Sequence, residues 1–291
     1  MAETGWRAAI FAVIGIGMTP GSAFAANGLA EDARQLYWGE LTSTYSETMG
    51  YLEKKNTKAG AVSIEELKQL EDQLLGNVYK IQESAKKLSP ALGDAWGDTL
   101  DSVEELVLIT GAVKVQIGKG KLPLDQLKAA YDAVGTDLEK SNAAMVQFGK
   151  DYAVLLEWAQ KGVEVWDREI EPNYPKTVEY LENENYEDGE DYLYALKVST
   201  SNLYDDCYKA NDLAERLAPR MAEQWSDSMV SSAQALTNEV GYLQLKLGNE
   251  ELSFDNLESA YEDTAEYLDE AYAETRVFGD EYAALCQEGC E

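Results

Sequence analysis

The amino-acid sequence predicts an all-α fold built from two tandem antiparallel four-helix bundles. The first observation is an internal repeat, in which residues 118–155 align with residues 248–285 at a constant offset of 130 and 13 of the 38 positions are identical. Chance gives about one match in fifteen, so the repeat indicates duplication of a whole domain rather than a short solenoid period. The second observation is that every long segment has the apolar spacing of three or four residues typical of helices.

The repeat continues upstream with a slightly different offset. Residues 77–90 match residues 206–219, and Trp96 matches Trp225, at an offset of 129. The offset therefore changes by one between these residues and Gly118, so the second copy carries one extra residue there. Such an insertion fits a helix bulge or a loop adjustment.

Four helical segments are expected in the first copy. The first, at about residues 29–56, has the loosest pattern. The second is expected to start at residues 63–66, where a serine and a glutamate three positions apart can form a capping box. Pro90 starts the third, and Gly118 is its expected C-terminal cap. A fourth follows to about Leu155, and the short connections make neighbouring helices antiparallel.

No flexible linker separates the two copies. The helical pattern continues from Leu124 to about Glu169 and is broken at residues 171–175. We therefore expect one long helix to be shared by both bundles, with a kink near Pro172, so that the bundles stack end to end. The expected domains are a signal peptide at residues 1–25, a first bundle at 26–168 and a second bundle at 169–291.

The N-terminus has the pattern of a secretory signal peptide. Arg7 precedes an apolar run at residues 8–18, and Ala23-Phe24-Ala25 provides a small-residue cleavage site. The apolar run is shorter than the ~20 residues that a membrane-spanning helix needs. We expect an exported mature chain, periplasmic or extracellular, without an integral membrane span.

The composition argues against an enzyme. Histidine is absent, which removes the commonest general base and the commonest metal ligand. The net charge of −30 is divided unevenly, since residues 26–160 hold 21 acidic and 14 basic side chains and residues 161–291 hold 32 and 9. This balance disfavours nucleic acid as a partner and predicts that the second copy binds a basic protein.

Six aromatic positions are shared by the two copies and are interpreted first as bundle core. They pair as Tyr51/Tyr180, Tyr79/Tyr208, Trp96/Trp225, Tyr131/Tyr261, Phe148/Phe278 and Tyr152/Tyr282. The alternative is a small-ligand pocket between the helices of each bundle. Its candidate residues are Trp96, Tyr131, Tyr152, Trp225, Tyr261 and Tyr282.

A glycine follows phenylalanine in both copies, at Gly149 and Gly279. Glycine within a helix costs about 1 kcal/mol relative to alanine. Its retention in both copies therefore indicates a close approach of helices.

The loop between the first two helices keeps a glycine in both copies, at Gly60 and Gly189, but reverses its charge. The lysines of residues 54–58 are replaced by an acidic run in the second copy. This run is interpreted as a solvated loop, as a weak Ca²⁺ site, or as a surface for a basic partner such as the lysine loop of a neighbouring molecule. The candidate metal ligands are Glu184, Glu187, Asp188, Glu190 and Asp191.

All three cysteines, Cys207, Cys286 and Cys290, lie in the second copy. In an exported protein they are disulfide candidates, and one of the three must remain free or pair with another chain. The expected function is a non-catalytic helical module that binds a basic protein or a small molecule. The alternative is a periplasmic protein that binds a divalent cation or another metal through the acidic loop or the thiols.

Overall fold

The computed structural model describes residues 28–247 and 252–287, apart from the side chains of residues 227, 284, 286 and 287. Within these ranges the chain is helical and contains no strand, which confirms the predicted all-α class. None of the described helices is long and apolar enough to cross a membrane. The expected signal peptide and Cys290 lie outside the described residues.

The described chain forms seven continuous helices, three of which contain a π-helical turn. The helices are α1 (Leu29–Gln35, π-helical Leu36–Leu41, Thr42–Glu53), α2 (Thr57–Leu88), α3 (Pro90–Gln116), α4 (Leu124–Val165, π-helical Trp166–Ile170, Glu171–Glu182), α5 (Tyr186–Leu217), α6 (Pro219–Glu223, π-helical Gln224–Val230, Ser231–Lys246) and α7 (Asp255–Gln287). Consecutive helices pack against each other, and α7 also packs against α4 and α2.

Helix α4 is continuous from Leu124 to Glu182, as the sequence predicted, and the kink expected near Pro172 stays a prediction. Pro172 lies in the first turn of the last segment of α4, and Pro175 lies inside it, yet neither ends the helix. The Asn173 side-chain amide donates to the Glu169 carbonyl at 2.7 Å, one turn back along the same helix. At a rise of 1.5 Å per residue, α4 is about 87 Å long from Leu124 to Glu182.

Backbone features of the first half of the chain (residues 28–157) recur about 129 residues later in the second half (residues 158–287). The π-helical turn Leu36–Leu41 corresponds to Trp166–Ile170. Lys55 and Glu184 both have positive φ, at 57° and 55°. The backbone of the described chain thus repeats with the same spacing as the sequence, and the predicted boundary between residues 168 and 169 stays a prediction.

The extra residue of the second half lies in a helix rather than in a loop. The π-helical turn Gln224–Val230 of α6 has no counterpart in α3. A π-helical turn closes over one more residue than an α-helical turn, so it absorbs the insertion without changing the helix ends. This is the bulge that the change of offset indicated.

The predicted start of α2 is wrong. The helix begins at Thr57, where the Asn56 side chain accepts a hydrogen bond from the Ala59 N–H at 3.3 Å. Ser63 is instead buried inside the helix and shares a 2.6 Å hydrogen bond with Thr48 of α1. The capping-box pattern was misleading because a serine that faces a polar partner in the core has the same sequence signature.

The cap at Gly118 is confirmed. Gly118 follows α3 with φ of 78°, in the left-handed region that favours glycine. Pro90 and Pro219 start α3 and α6, and the residue before each proline is extended.

Helices α4 and α7 cross through two reciprocal hydrogen bonds. The Tyr152 hydroxyl donates to the Thr275 carbonyl at 2.9 Å, and the Tyr282 hydroxyl donates to the Met145 carbonyl at 3.0 Å. These residues are equivalent in the internal repeat, so each helix gives the other the same contact. The crossing therefore has local two-fold pseudosymmetry and is antiparallel.

The glycines kept in both copies allow this crossing. A Cβ atom at Gly149 would collide with the Tyr282 hydroxyl, and one at Gly279 would collide with the Tyr152 hydroxyl. The rings of Phe148 and Phe278 lie between the two contacts, 5.7 Å apart. Close approach of helices is thus the reason for both glycines.

The crossing also brings the two ends of the described chain together. Helix α7 contacts the Leu29–Gln35 segment that begins α1. In the repeat, the end of α7 corresponds to residue 157, and Leu29 corresponds to Trp158. The end of α7 and the start of α1 therefore meet without a covalent bond, whereas the equivalent residues 157 and 158 are consecutive residues of α4.

We predict opposite effects for two glycine-to-alanine substitutions. Gly279→Ala should lower the free energy of unfolding by about 1–3 kcal/mol, because the new methyl group overpacks the crossing and outweighs the gain in helix propensity. Gly76→Ala, on the exposed side of α2 where nothing lies within 4 Å, should raise it by about 0.5–1 kcal/mol. Urea unfolding followed by circular dichroism measures both, and equal effects would contradict the crossing.

Candidate functional site

The six candidate pocket residues lie at three different places. Trp96 and Trp225 are fully buried in α3 and α6. Tyr152 and Tyr282 form the crossing, and Tyr131 and Tyr261 take part in aromatic stacks. Two surface clefts, described below, are lined by none of the six.

Four of the shared aromatic residues are not in the core, contrary to the sequence interpretation. Tyr51 and Tyr180 are only partly buried and lie outside the core cluster. Tyr79 is 55% exposed and Tyr208 is 57% exposed. The preceding residues, Val78 and Cys207, are fully buried and occupy the core position of the heptad instead. The pairs Trp96/Trp225, Phe148/Phe278 and Tyr152/Tyr282 are buried as predicted.

An aromatic cluster surrounds the π-helical turn of α1. The Tyr37 hydroxyl donates to the Tyr131 carbonyl at 2.6 Å, and the Thr42 hydroxyl donates to the Tyr37 carbonyl at 2.6 Å. The Tyr131 hydroxyl lies 2.6 Å from the Thr42 oxygen, which closes the network. Tyr45 stacks on Tyr131 with ring centroids 3.9 Å apart. Burial raises the pKa of Tyr37 well above its ordinary value, so this residue stays protonated as a donor.

The second half keeps the stack at its own π-helical turn but changes its hydrogen bonding. Tyr174 stacks on Tyr261 at 3.9 Å, and Trp166 lies 4.9 Å from Tyr261 in the place of Tyr37. The Trp166 indole nitrogen is buried and has no hydrogen-bond partner among the described residues. The stack is the feature that the two halves share, which favours a structural role in holding the π-helical turns.

The buried ionisable residue that sequence analysis missed is Glu71 of α2. The residue is fully buried, and one carboxyl oxygen accepts a 2.6 Å hydrogen bond from Thr110 of α3. The other carboxyl oxygen has no hydrogen-bond partner among the described residues. Burial raises the pKa of Glu71 to about 8, although Thr110 and Lys68 act in the opposite direction.

A strict heptad count would have found this residue. Ile64 and Leu67 are core positions three residues apart, and a seven-residue pattern then places the next core position four residues on, at 71, before Leu74. The equivalent core position in α5 is Thr200. The buried carboxyl is therefore a feature of the first half alone.

The acidic run mostly belongs to a helix rather than to a loop. Glu184 lies in the turn, Glu187 and Asp188 lie in the first turn of α5, and Glu190 and Asp191 follow in the helix. The described residues contain no group of three or more metal-ligating side chains placed to hold an ion, so the structure does not bring these carboxylates together. Their position at a helix N-terminus is favoured by the helix dipole instead.

Of the three cysteines, Cys207 alone has its side chain among those that the structure describes. Cys207 is a free, fully buried thiol, and burial raises its pKa well above the ordinary value. Its sulfur atom lies beside Gly162, opposite Leu268 of α7. The side chain of Cys286 lies outside the described residues, so a disulfide between Cys207 and Cys286 stays a prediction. The Cys290 pairings lie outside the described residues.

Two oppositely charged tips are the clearest functional contrast in the molecule. We define the basic tip as residues 53–58 and 117–124, and the acidic tip as residues 182–191. The basic tip carries five exposed lysines, none of which has an ion-pair partner among the described residues: Lys54, Lys55, Lys58, Lys119 and Lys121. An open cleft of about 540 Å³ lies between its two loops, with Lys55 and Lys121 in its lining. A second open cleft of about 470 Å³ includes Lys58.

The acidic tip has the same backbone as the equivalent part of the basic tip but the opposite charge. Its ten residues include six carboxylates and no basic side chain, and all six carboxylates are exposed. Lys55 and Glu184 share the same positive φ, and Asn56 and Asn185 precede the next helix in both. The fold therefore does not require the difference in charge.

Comparison with known proteins gives no assignment: no family model, no curated protein and no solved structure matches the chain.

The buried carboxyl generates a prediction about pH. Because the pKa of Glu71 is about 8 in the folded chain and 4.5 in its ordinary state, the folded chain holds an extra proton between these values. The free energy of unfolding should therefore fall as pH rises from about 4.5 to about 8. In Glu71→Gln this decline should be absent. The free energy of unfolding of the variant minus that of the wild type should rise by roughly 3–5 kcal/mol between pH 4.5 and about pH 9, which makes the variant the more stable form at the higher pH.

Chemical unfolding at a series of pH values measures this difference. Glu66→Gln, which removes an exposed carboxyl from the same helix, is the control for the loss of one charge. If the free energy of unfolding varied with pH in the same way in wild type and in Glu71→Gln, the prediction of a buried, protonated carboxyl would be wrong.

Proposed function

We propose that this chain is an exported, non-catalytic scaffold made of two four-helix bundles of common origin, stacked end to end, whose acidic half binds a basic protein partner. The observation that carries the proposal is the reversal of charge at two turns that share one backbone geometry. A charge that the fold does not need, placed on an exposed tip, is best explained by what binds there.

The pairing of helices supports two bundles. In the first half, α1 packs on α2, α2 on α3 and α3 on α4. In the second half, the Glu171–Glu182 segment packs on α5, α5 on α6 and α6 on α7. Each half thus has four antiparallel helices, with α4 supplying the last helix of one and the first helix of the other.

A binding role is also supported by where the reactive groups lie. Glu71 and Cys207 are buried in the core with raised pKa values, away from both clefts. Histidine is absent from the chain. Neither of these two buried groups lines a cleft of the described part of the chain, so neither is placed to reach a molecule bound there.

The two alternatives from the sequence are less well supported. For a small ligand, the candidate aromatic side chains already stack on one another or fill the core. For a divalent cation, the five candidate carboxylates do not form a group of three or more metal-ligating side chains within the described residues. Binding of a basic protein requires neither a cavity nor converging ligands, because a surface of exposed negative charges attracts it.

Affinity capture with matched charge variants tests the proposal. Glu187→Gln, Glu190→Gln and Asp191→Asn together should abolish capture of a basic protein from an envelope extract of the native host by the full mature chain. The control is Asp205→Asn, Glu223→Gln and Glu270→Gln together, which removes three exposed carboxylates far from the tip. This control should retain the captured protein because long-range charge is matched and only the tip differs.

Capture should also weaken as the salt concentration rises from about 0.1 M to about 1 M, where the Debye length falls from about 10 Å to about 3 Å. Capture that ignores both the salt and the tip substitutions would overturn the proposed function.

A further inference from the structure

We propose that the basic partner of the acidic tip is the basic tip of a second copy of this chain, so that the molecules associate head to tail. This inference rests on the proposed function and names its partner, a molecule that is basic at the binding tip although its net charge is −30. The acidic tip offers six exposed carboxylates, and the basic tip offers five exposed lysines without ion-pair partners among the described residues. Each tip is thus the electrostatic complement of the other.

The position of the tips decides the form of the assembly. Leu124, at the start of α4, lines the cleft of the basic tip, and Glu182, at the end of α4, begins the acidic tip. The two tips therefore lie at opposite ends of one helix about 87 Å long. An interface that joins different surfaces at opposite ends of a rod does not close on itself, so it generates open chains.

The size of the tips predicts that each contact is weak. Helices are about 10 Å in diameter, so the end of a four-helix bundle presents roughly 400 Å² and a tip-to-tip contact buries about 800 Å² in total. Stable interfaces bury at least about 1,200 Å². The association should therefore need high protein concentration and depend strongly on charge.

The overall charge predicts an unusual dependence on salt. Each molecule carries a net charge of −30, so the bodies repel each other while the tips attract. At about 0.1 M salt the Debye length is about 10 Å, so the repulsion between whole molecules is screened while the attraction between touching tips remains. At about 0.01 M salt the repulsion is not screened, and at about 1 M salt the attraction between tips is screened as well. Association should be strongest near 0.1 M and weaker at both extremes.

The internal repeat supplies substitutions that each tip should tolerate. Lys55→Glu with Lys58→Glu places at the basic tip the residues found at the equivalent positions of the acidic tip. Glu184→Lys with Glu187→Lys does the reverse. Because Lys55 and Glu184 have φ values of 57° and 55°, the exchanged side chains meet the same backbone geometry.

Sedimentation velocity of the full mature chain is the test. At about 0.1 M salt, the wild type should show a sedimentation coefficient that rises with concentration without stopping at a dimer, and each charge-reversed variant alone should stay monomeric. An equimolar mixture of the two variants should associate again, because every basic tip then meets an acidic one. Circular dichroism confirms that both variants fold.

Wild type that stays monomeric up to millimolar concentration would overturn the inference, as would a dimer end point or variants that associate as the wild type does. If these results are obtained while affinity capture still finds a different basic protein that requires the acidic tip, the head-to-tail partner is wrong and the proposed function stands. Loss of both would overturn the two together.

Discussion

The reciprocal contact between α4 and α7 is the interaction on which the arrangement of the two halves depends. Each helix donates one tyrosine hydroxyl to a backbone carbonyl of the other, above a glycine that leaves room for the ring. Hydrogen bonds of this kind contribute only about 1 kcal/mol each, so the burial of four aromatic rings around them supplies most of the stabilisation. The same contact brings the start of α1 to the end of α7. Two connections then link the halves, one covalent through α4 and one through packing.

This geometry explains which features are common to both halves and which differ. The π-helical turns, the aromatic stacks, the crossing residues and the turn with positive φ recur, and all of them determine backbone shape. The charges at the tips, Glu71 and the cysteines do not recur, and none of them is needed for that shape. Because equivalent positions share one backbone geometry, a side chain that differs between the two halves is not one that this geometry requires.

The sequence predicted the helices well because apolar spacing reports directly on the buried face of each helix. It also predicted the insertion, since a shift of offset between Trp96 and Gly118 has to be absorbed somewhere. It failed where one residue type serves two purposes: Ser63 resembles a cap but pairs with Thr48, and Tyr79 follows a core valine but is exposed. Glu71 was missed because a carboxyl was not expected at a core position. The crossing could not be predicted, since its partners are about 130 residues apart and no periodic pattern relates them.

The central claim is that one continuous helix and one reciprocal crossing hold the two tips at opposite ends of a rod. Small-angle X-ray scattering of the mature chain, at a salt concentration that keeps it monomeric, measures this most directly. A rod as long as α4 and two helices wide predicts a radius of gyration of about 27 Å and a maximum dimension of at least about 87 Å. A radius of gyration near 18 Å, the value for a compact globule of the same length, would contradict the account.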